Sequence, residues 1–187
     1  MTWRPAFWLW AGGVIAVDLA TKQWALSALE PYENHPLLGD LLGIQLVFNS
    51  GAAFSMGAGY TWVLTLVALA ITAGIVFYGR RARTGPAVAL FGIALGGAIG
   101  NLIDRLFRDP SFGQGHVVDM INYGHQFVGN VADIAIVGAA IAIVAGSLFG
   151  WHPLGETGDD APVAAAGGST VGSSDEVTDG DAEAERG

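Results

Sequence analysis

Four apolar segments, at roughly 6–28, 61–78, 86–107 and 131–149, constrain this chain more than any other feature. Each approaches the ~20 residues that carry a helix across a bilayer. Hydrocarbon offers a backbone no water to bond with, so such segments must satisfy their own amides as helices. Composition agrees. The chain is 52% hydrophobic and 13% charged, where a soluble domain carries about 25% charged residues. The expected fold is an all-α integral membrane protein with four transmembrane helices. The first segment exceeds a signal-peptide apolar core and is read as a retained helix.

Charge divides the chain into two parts. Of the net −9, residues 156–187 hold −8 and the remaining body −1. We therefore expect a four-helix membrane domain over 1–154 and a disordered acidic tail over 155–187. That tail is rich in Gly, Ser, Ala and acids and has no apolar periodicity. The body has no basic stripe, which argues against a nucleic-acid partner. The absence of cysteine excludes disulfides, thiolate catalysis and cysteine metal sites.

Orientation follows from the basic residues. Arg80, Arg81 and Arg83 crowd the link between the second and third segments, whereas residues 30–60 hold no Lys or Arg. The positive-inside rule puts that link and both termini in the cytoplasm. The connections at about 29–60 and 108–130 then face outward. Arg105 and Arg108 run against the rule, which points to another task for them, such as contact with a lipid headgroup. In the first outward connection, Ile44 to Phe48 reads as a short strand and Asn49-Ser50-Gly51 as a turn.

Four acids lie within the apolar segments or at their edges: Asp18, Asp104, Asp119 and Asp133. Carboxylates at such positions are expensive and mark functional sites. Asp18 has Lys22 four residues on, and Asp104 has Arg108, so both read as structural ion pairs along a helix face. Glycines 92, 96 and 100 repeat every four residues, which favours close helix packing. One further step reaches Asp104, which turns it toward the bundle interior. Gly138, Ala142 and Gly146 repeat at the same interval in the fourth segment.

Asp119 and Asp133 are fourteen residues apart and can meet only through tertiary folding. Two carboxylates meeting in a dry site would share a proton. One would then activate water while the other donates to a carbonyl. The competing reading makes Asp133 an ordinary first-turn acid capped by Asn130, and Asp119 a solvated loop acid. His116 and His125 flank Asp119 without a zinc-binding spacing such as HExxH.

Five runs, taken together, resemble the lipoprotein signal peptidases (type II signal peptidases). They are Asp18-Leu19-Ala20-Thr21-Lys22, Asn49-Ser50-Gly51-Ala52-Ala53-Phe54, Gly96 through Arg105, Val117-Val118-Asp119, and Asn130-Val131-Ala132-Asp133. They follow the family's order and spacing across roughly residues 6–150. The resemblance implies four transmembrane helices with a small extracytoplasmic β-cradle. It also implies an aspartic endopeptidase that needs no cofactor or metal. Such an enzyme removes the signal peptide of a prolipoprotein just before its diacylglyceryl-modified cysteine. By the same resemblance Asp119 and Asp133 are catalytic. Asn49, Gly51, Asn101, Arg105 and Asn130 bind substrate, while Asp18, Lys22 and Asp104 support the site. The implied setting is a monomer in the bacterial cytoplasmic (inner) membrane, with the lipidated substrate and membrane lipids as partners and the site on the extracytoplasmic face. Two positions depart from the family pattern. Gly129 stands where Phe is usual, and Met120 where an aromatic is usual; both bear on how the site is walled.

A proton-coupled transporter or channel is the alternative class. It would spread its acids through the bilayer and would favour an inverted repeat, which this chain lacks. A presenilin-type protease would need a Gly-x-Gly-Asp pattern and more spans.

Overall fold

A computed structural model describes residues 5–51, 60–124 and 126–154. These all lie in one compact unit, Met1–Glu156. The acidic tail, residues 52–54 of the second family run and His125 lie outside the described residues.

In chain order the elements are α1 (Pro5–Ala28), β1 (Asn34–Leu38), β2 (Leu42–Asn49), α2 (Thr61–Gly79), α3 (Gly85–Phe107), β3 (Val117–Tyr123), β4 (Phe127–Gly129) and α4 (Val131–Leu148). The helix bounds match the apolar segments to within about a residue. Of the four helices, α2, α3 and α4 are long and apolar enough to cross a membrane. α1 has the length but carries Asp18 and Lys22 in its interior.

α3 is the central helix. Its apolar stretch is 56% buried inside the protein, against 6% for α2 and 11% for α4. Large side chains on the outer helices, such as Leu66, Ile71 and Ile141, are left exposed, as suits surfaces turned to lipid. Thr84 caps α3, its hydroxyl accepting from the Ala87 amide at 3.3 Å, and Pro86 sits in the first turn, where its missing N–H does no harm.

The glycine series of α3 does what its spacing predicts. A Cβ at Gly92 would stand 2.6 Å from the Phe7 carbonyl oxygen, and one at Gly96 would stand 2.6 Å from that of Ala11. At Gly100 it would collide with the Asp18 carboxylate. The close packing of α1 on α3 therefore requires these three positions to be bare, two against backbone and Gly100 against the Asp18 side chain. The series in α4 behaves differently. Gly138 meets nothing within 4 Å, and Gly146 lies against the Trp151 ring rather than a helix. α4 instead packs through Ala132 and Ala139, with Gly97 of α3 tight against the Ala132 carbonyl. The Gly138-Ala142-Gly146 stripe read from the spacing is thus not the face that α4 packs against α3.

The four strands form one antiparallel sheet in the order β1-β2-β3-β4. Register pairs Val47 with Asp119, Phe48 with Val118 and Asn49 with Val117. Successive strand residues point to opposite faces. Leu46, Val118 and Met120 therefore face one way and close over Ala25, with Leu26, Leu29 and Phe48 packed around them. Asn49 and Asp119 face the other way. Met120 is buried in this cluster and does not wall the side of the sheet that holds Asp119.

Candidate active site

An interlocked set of ion pairs ties the ends of three helices and the sheet together. Lys22 of α1 is fully buried, and its ammonium group meets Asp18 at 2.7 Å, Asp104 at 2.9 Å and the Asn101 side-chain oxygen at 3.0 Å. Three donors thus find three acceptors, which an ammonium in a dry site requires. Asp104 also pairs with Arg108. The i,i+4 pairs read from the sequence are present, and Lys22 joins them into one cluster.

The carboxylates of this cluster also fix two backbone positions. Asp18 accepts from the Ala132 amide at 2.9 Å, and Asp104 accepts from the Val118 amide at 3.2 Å. Ala132 directly precedes Asp133, and Val118 directly precedes Asp119. The cluster therefore holds the two segments that bear the acids singled out above.

Asp119 is 2% exposed. It accepts from the Asn49 amide group at 2.9 Å and from that of Asn130 at 2.6 Å. Burial, and after it the charge of Asp133, pushes its pKa up to about 7, against the opposing pull of those two hydrogen bonds. Asp133 sits in the first turn of α4. It accepts from the Asn101 amide group at 2.8 Å and from the Asn130 backbone at 3.1 Å, while its own amide donates to the Asn130 side chain at 3.0 Å. This reciprocal arrangement is a capping box. Asp133 is thus an ordinary helix-capping acid in its local bonding, and at the same time part of a carboxylate pair in the tertiary structure. The two readings of Asp133 prove compatible. Asp119 is no solvated loop acid.

Asn130 joins the pair, since it bonds to both aspartates and its amide group also reaches Asn101 at 3.1 Å. Arg105 donates to the Gly51 carbonyl, and the Gly51 amide donates to the Asn49 side chain at 3.0 Å. Arg105 is 8% exposed, and its Nη1 has no partner among the described residues. Its charge lies within electrostatic reach of Asp119 and Asp133. All ten residues singled out from the sequence thus fall in one connected network. Thr61 and Thr65 went unread. Thr61 holds the Ser50 carbonyl at 2.8 Å and Thr65 that of Gly113 at 2.8 Å, docking α2 to the loops beside the site. Nothing in their local pattern separates them from other helix-start threonines.

Gly129 leaves Asp133 uncrowded, since a Cβ there would lie 3.1 Å from its carboxylate and 3.7 Å from the Tyr123 ring. Tyr123 stacks on Phe127 at 4.6 Å, and burial and then the charge of Asp133 push its hydroxyl pKa up. These two aromatics wall the neighbourhood of Asp133.

A helical membrane protein with two coupled carboxylates at the rim of its bundle falls in the class of membrane aspartic hydrolases. The chain belongs to the signal peptidase II family, whose pattern it matches over residues 10–149, and it is an aspartic peptidase of that type. Proteins named lipoprotein signal peptidase are similar to it. That of Mycobacterium avium is 48% identical over 75% of this chain and 78% of its own length. That of Rhodococcus jostii is 50% identical over 78% and 73%. The Mycobacterium tuberculosis protein is 49% identical over 74% and 68%. Two solved structures of a bacterial membrane enzyme, determined in meso at 2.3 and 1.9 Å, share the fold, with TM-scores of 0.66 and 0.63 at 24% identity. They cover 75% of this chain and 86% and 90% of their own.

Proposed function

We propose that this chain is the endopeptidase that cuts signal peptides from diacylglyceryl-modified prolipoproteins just before the lipidated cysteine, with Asp119 and Asp133 as its catalytic pair. The observation that carries the reading is the Asn130-linked carboxylate pair, one member of which has a pKa near neutrality. Asp119 enters protonated and Asp133 ionised. Asp133 takes a proton from water as the water oxygen bonds to the scissile carbonyl carbon, and Asp119 gives its proton to the carbonyl oxygen. In the second step the C–N bond breaks. Asp133 returns its proton to the leaving cysteine nitrogen, and Asp119 recovers one from a hydroxyl. The pair ends as it began, with no metal and no cofactor.

Asn49, Asn101 and Asn130 hold the carboxylates, and Arg105 and Gly51 line the approach for the substrate backbone. Four helices span the cytoplasmic membrane of a bacterium as a monomeric multi-pass protein. Both termini and the arginine link lie inside, and the pair lies at the outer face. The support for this orientation is that Arg80, Arg81 and Arg83 follow the end of α2, while the site gathers at the opposite helix ends. Residues 1–154 form the peptidase domain, and the acidic segment 155–187, which lies outside the described residues, follows it on the cytoplasmic side.

The acyl chains stay in the bilayer, so burying them again gains little, and they act by setting the register of the cut. A diacylglyceryl-modified prolipoprotein should therefore be cleaved at least about 100-fold faster than the same chain unmodified, a gap of about 2.7 kcal/mol. Mass spectrometry of the products measures both rates. Equal rates would refute the register role.

The pH dependence has a definite sign. Asp119 must be protonated to donate, and its pKa lies at about 7. Cleavage should fall as pH rises through about 7, losing roughly tenfold per unit beyond it. A rate that held level to pH 9 would assign the acid step elsewhere.

A further inference from the structure

We infer that a cavity on the face of the sheet opposite the carboxylate pair is a binding site for a phospholipid whose headgroup carries both a phosphate and a primary ammonium group. The cavity measures about 630 Å³ and is lined by Leu26, Phe48, Phe107, Arg108, Asp109 and His116, with Tyr32. Phe48 and Asn49 are neighbours on β2 and point to opposite faces. Asn49 bonds to Asp119, so the Phe48 side is a separate compartment.

Its position suits a lipid. Leu26 follows Ala25, the last buried residue of α1, and Phe107 is the last residue of α3. The cavity therefore opens where a spanning helix leaves the hydrocarbon. Phe107 and Phe112 pair edge-to-face at 5.9 Å and are 71% and 74% exposed. A soluble surface would have little reason to present them, whereas acyl chains would cover them. Tyr32 takes a left-handed backbone, φ 67°, alone among the described non-glycine residues. Its amide is pinned to the Leu46 carbonyl at 2.9 Å and its carbonyl to the Gln45 side chain at 3.0 Å. Side chains forced into this region cluster at ligand sites.

The charges select the headgroup. Arg108 brings its guanidinium to the cavity wall, held there by Asp104 through Nε. That guanidinium and the His116 ring suit a phosphate. Asp109 opposes them, tied to His116 by the bond from the His116 amide to the Asp109 carbonyl at 2.9 Å. Because Asp104 already balances Arg108, a purely anionic headgroup would meet an uncompensated Asp109. A zwitterion with an ammonium group satisfies both sides. This also gives Arg108 the task that its place against the positive-inside rule called for.

The test is native mass spectrometry of the purified full chain exchanged into micelles with equimolar phosphatidylethanolamine and phosphatidylglycerol. The wild type should retain the ethanolamine lipid about tenfold over the glycerol lipid, the ratio expected of one charge-assisted contact. Asp109→Asn should bring the two lipids level, and His116→Ala should lower retention of both. Equal retention by the wild type, or an unchanged preference in Asp109→Asn, would overturn the inference. The inference needs only the membrane placement, so loss of cleavage activity has no bearing on it, and Asp109→Asn should cleave substrate like the wild type.

Discussion

Replacing either Asp119 or Asp133 with asparagine should remove cleavage of a lipidated prolipoprotein, by at least about 10³-fold. Positioned acid–base groups contribute about 10²–10⁴-fold each, and residues that act as one unit fail together. Asparagine keeps the size of aspartate but can neither take a proton from water nor give one to a carbonyl. The variants should stay folded, and one of them should gain stability. Asp119 has a folded pKa raised to about 7. The preference for its neutral form is fully present below the unfolded carboxylate range, fades as pH rises, and is gone above about 7. Above that pH the wild type buries a charge that Asp119→Asn does not have. Thermal unfolding in detergent at pH 8 should therefore place Asp119→Asn above the wild type, while cleavage assays record its inactivity. Substantial activity in either variant would end the two-aspartate account.

The second large effect concerns Lys22. Lys22→Met keeps the length of the side chain and removes its charge, leaving Asp18 without a cation and Asp104 with Arg108 alone. Both carboxylates are fully buried. Breaking a buried pair from one side costs about 3–5 kcal/mol, because the partner charge stays behind. A large fall in unfolding temperature follows, measured in the same detergent. Asp18→Asn in the Lys22→Met background should recover part of it, since the stranded charge is then gone. A Lys22→Met protein as stable as the wild type would mean that the cluster does not hold the helix ends as described.

What the sequence disclosed depended on how local each signal was. Apolar length fixed the helices. The i,i+4 rule found Asp18 with Lys22 and Asp104 with Arg108 because each partner lies within one turn. It missed that Lys22 also holds Asp104 and Asn101, the latter 79 residues away. β2 was visible as an apolar run. β1 contains Pro36 and pairs on one side only, and β4 has three residues, so neither produces a pattern. The family resemblance made Met120 a candidate for the wall of the site, yet strand alternation turns it to the other face. Asp119 and Asp133 were singled out because acids are rare in such a chain. The Asn130–Asp133 half of their link is a local capping box that the sequence showed, but the bond from Asn130 to Asp119 is tertiary, and no spacing rule encodes it.

The most direct test of the central claim is digestion of a diacylglyceryl-modified prolipoprotein by the purified wild-type chain, with a chelator present and the products read by mass spectrometry. The account predicts undiminished cleavage and a product that begins with the lipidated cysteine. Failure of the folded protein to cleave, or activity lost to the chelator, would contradict it.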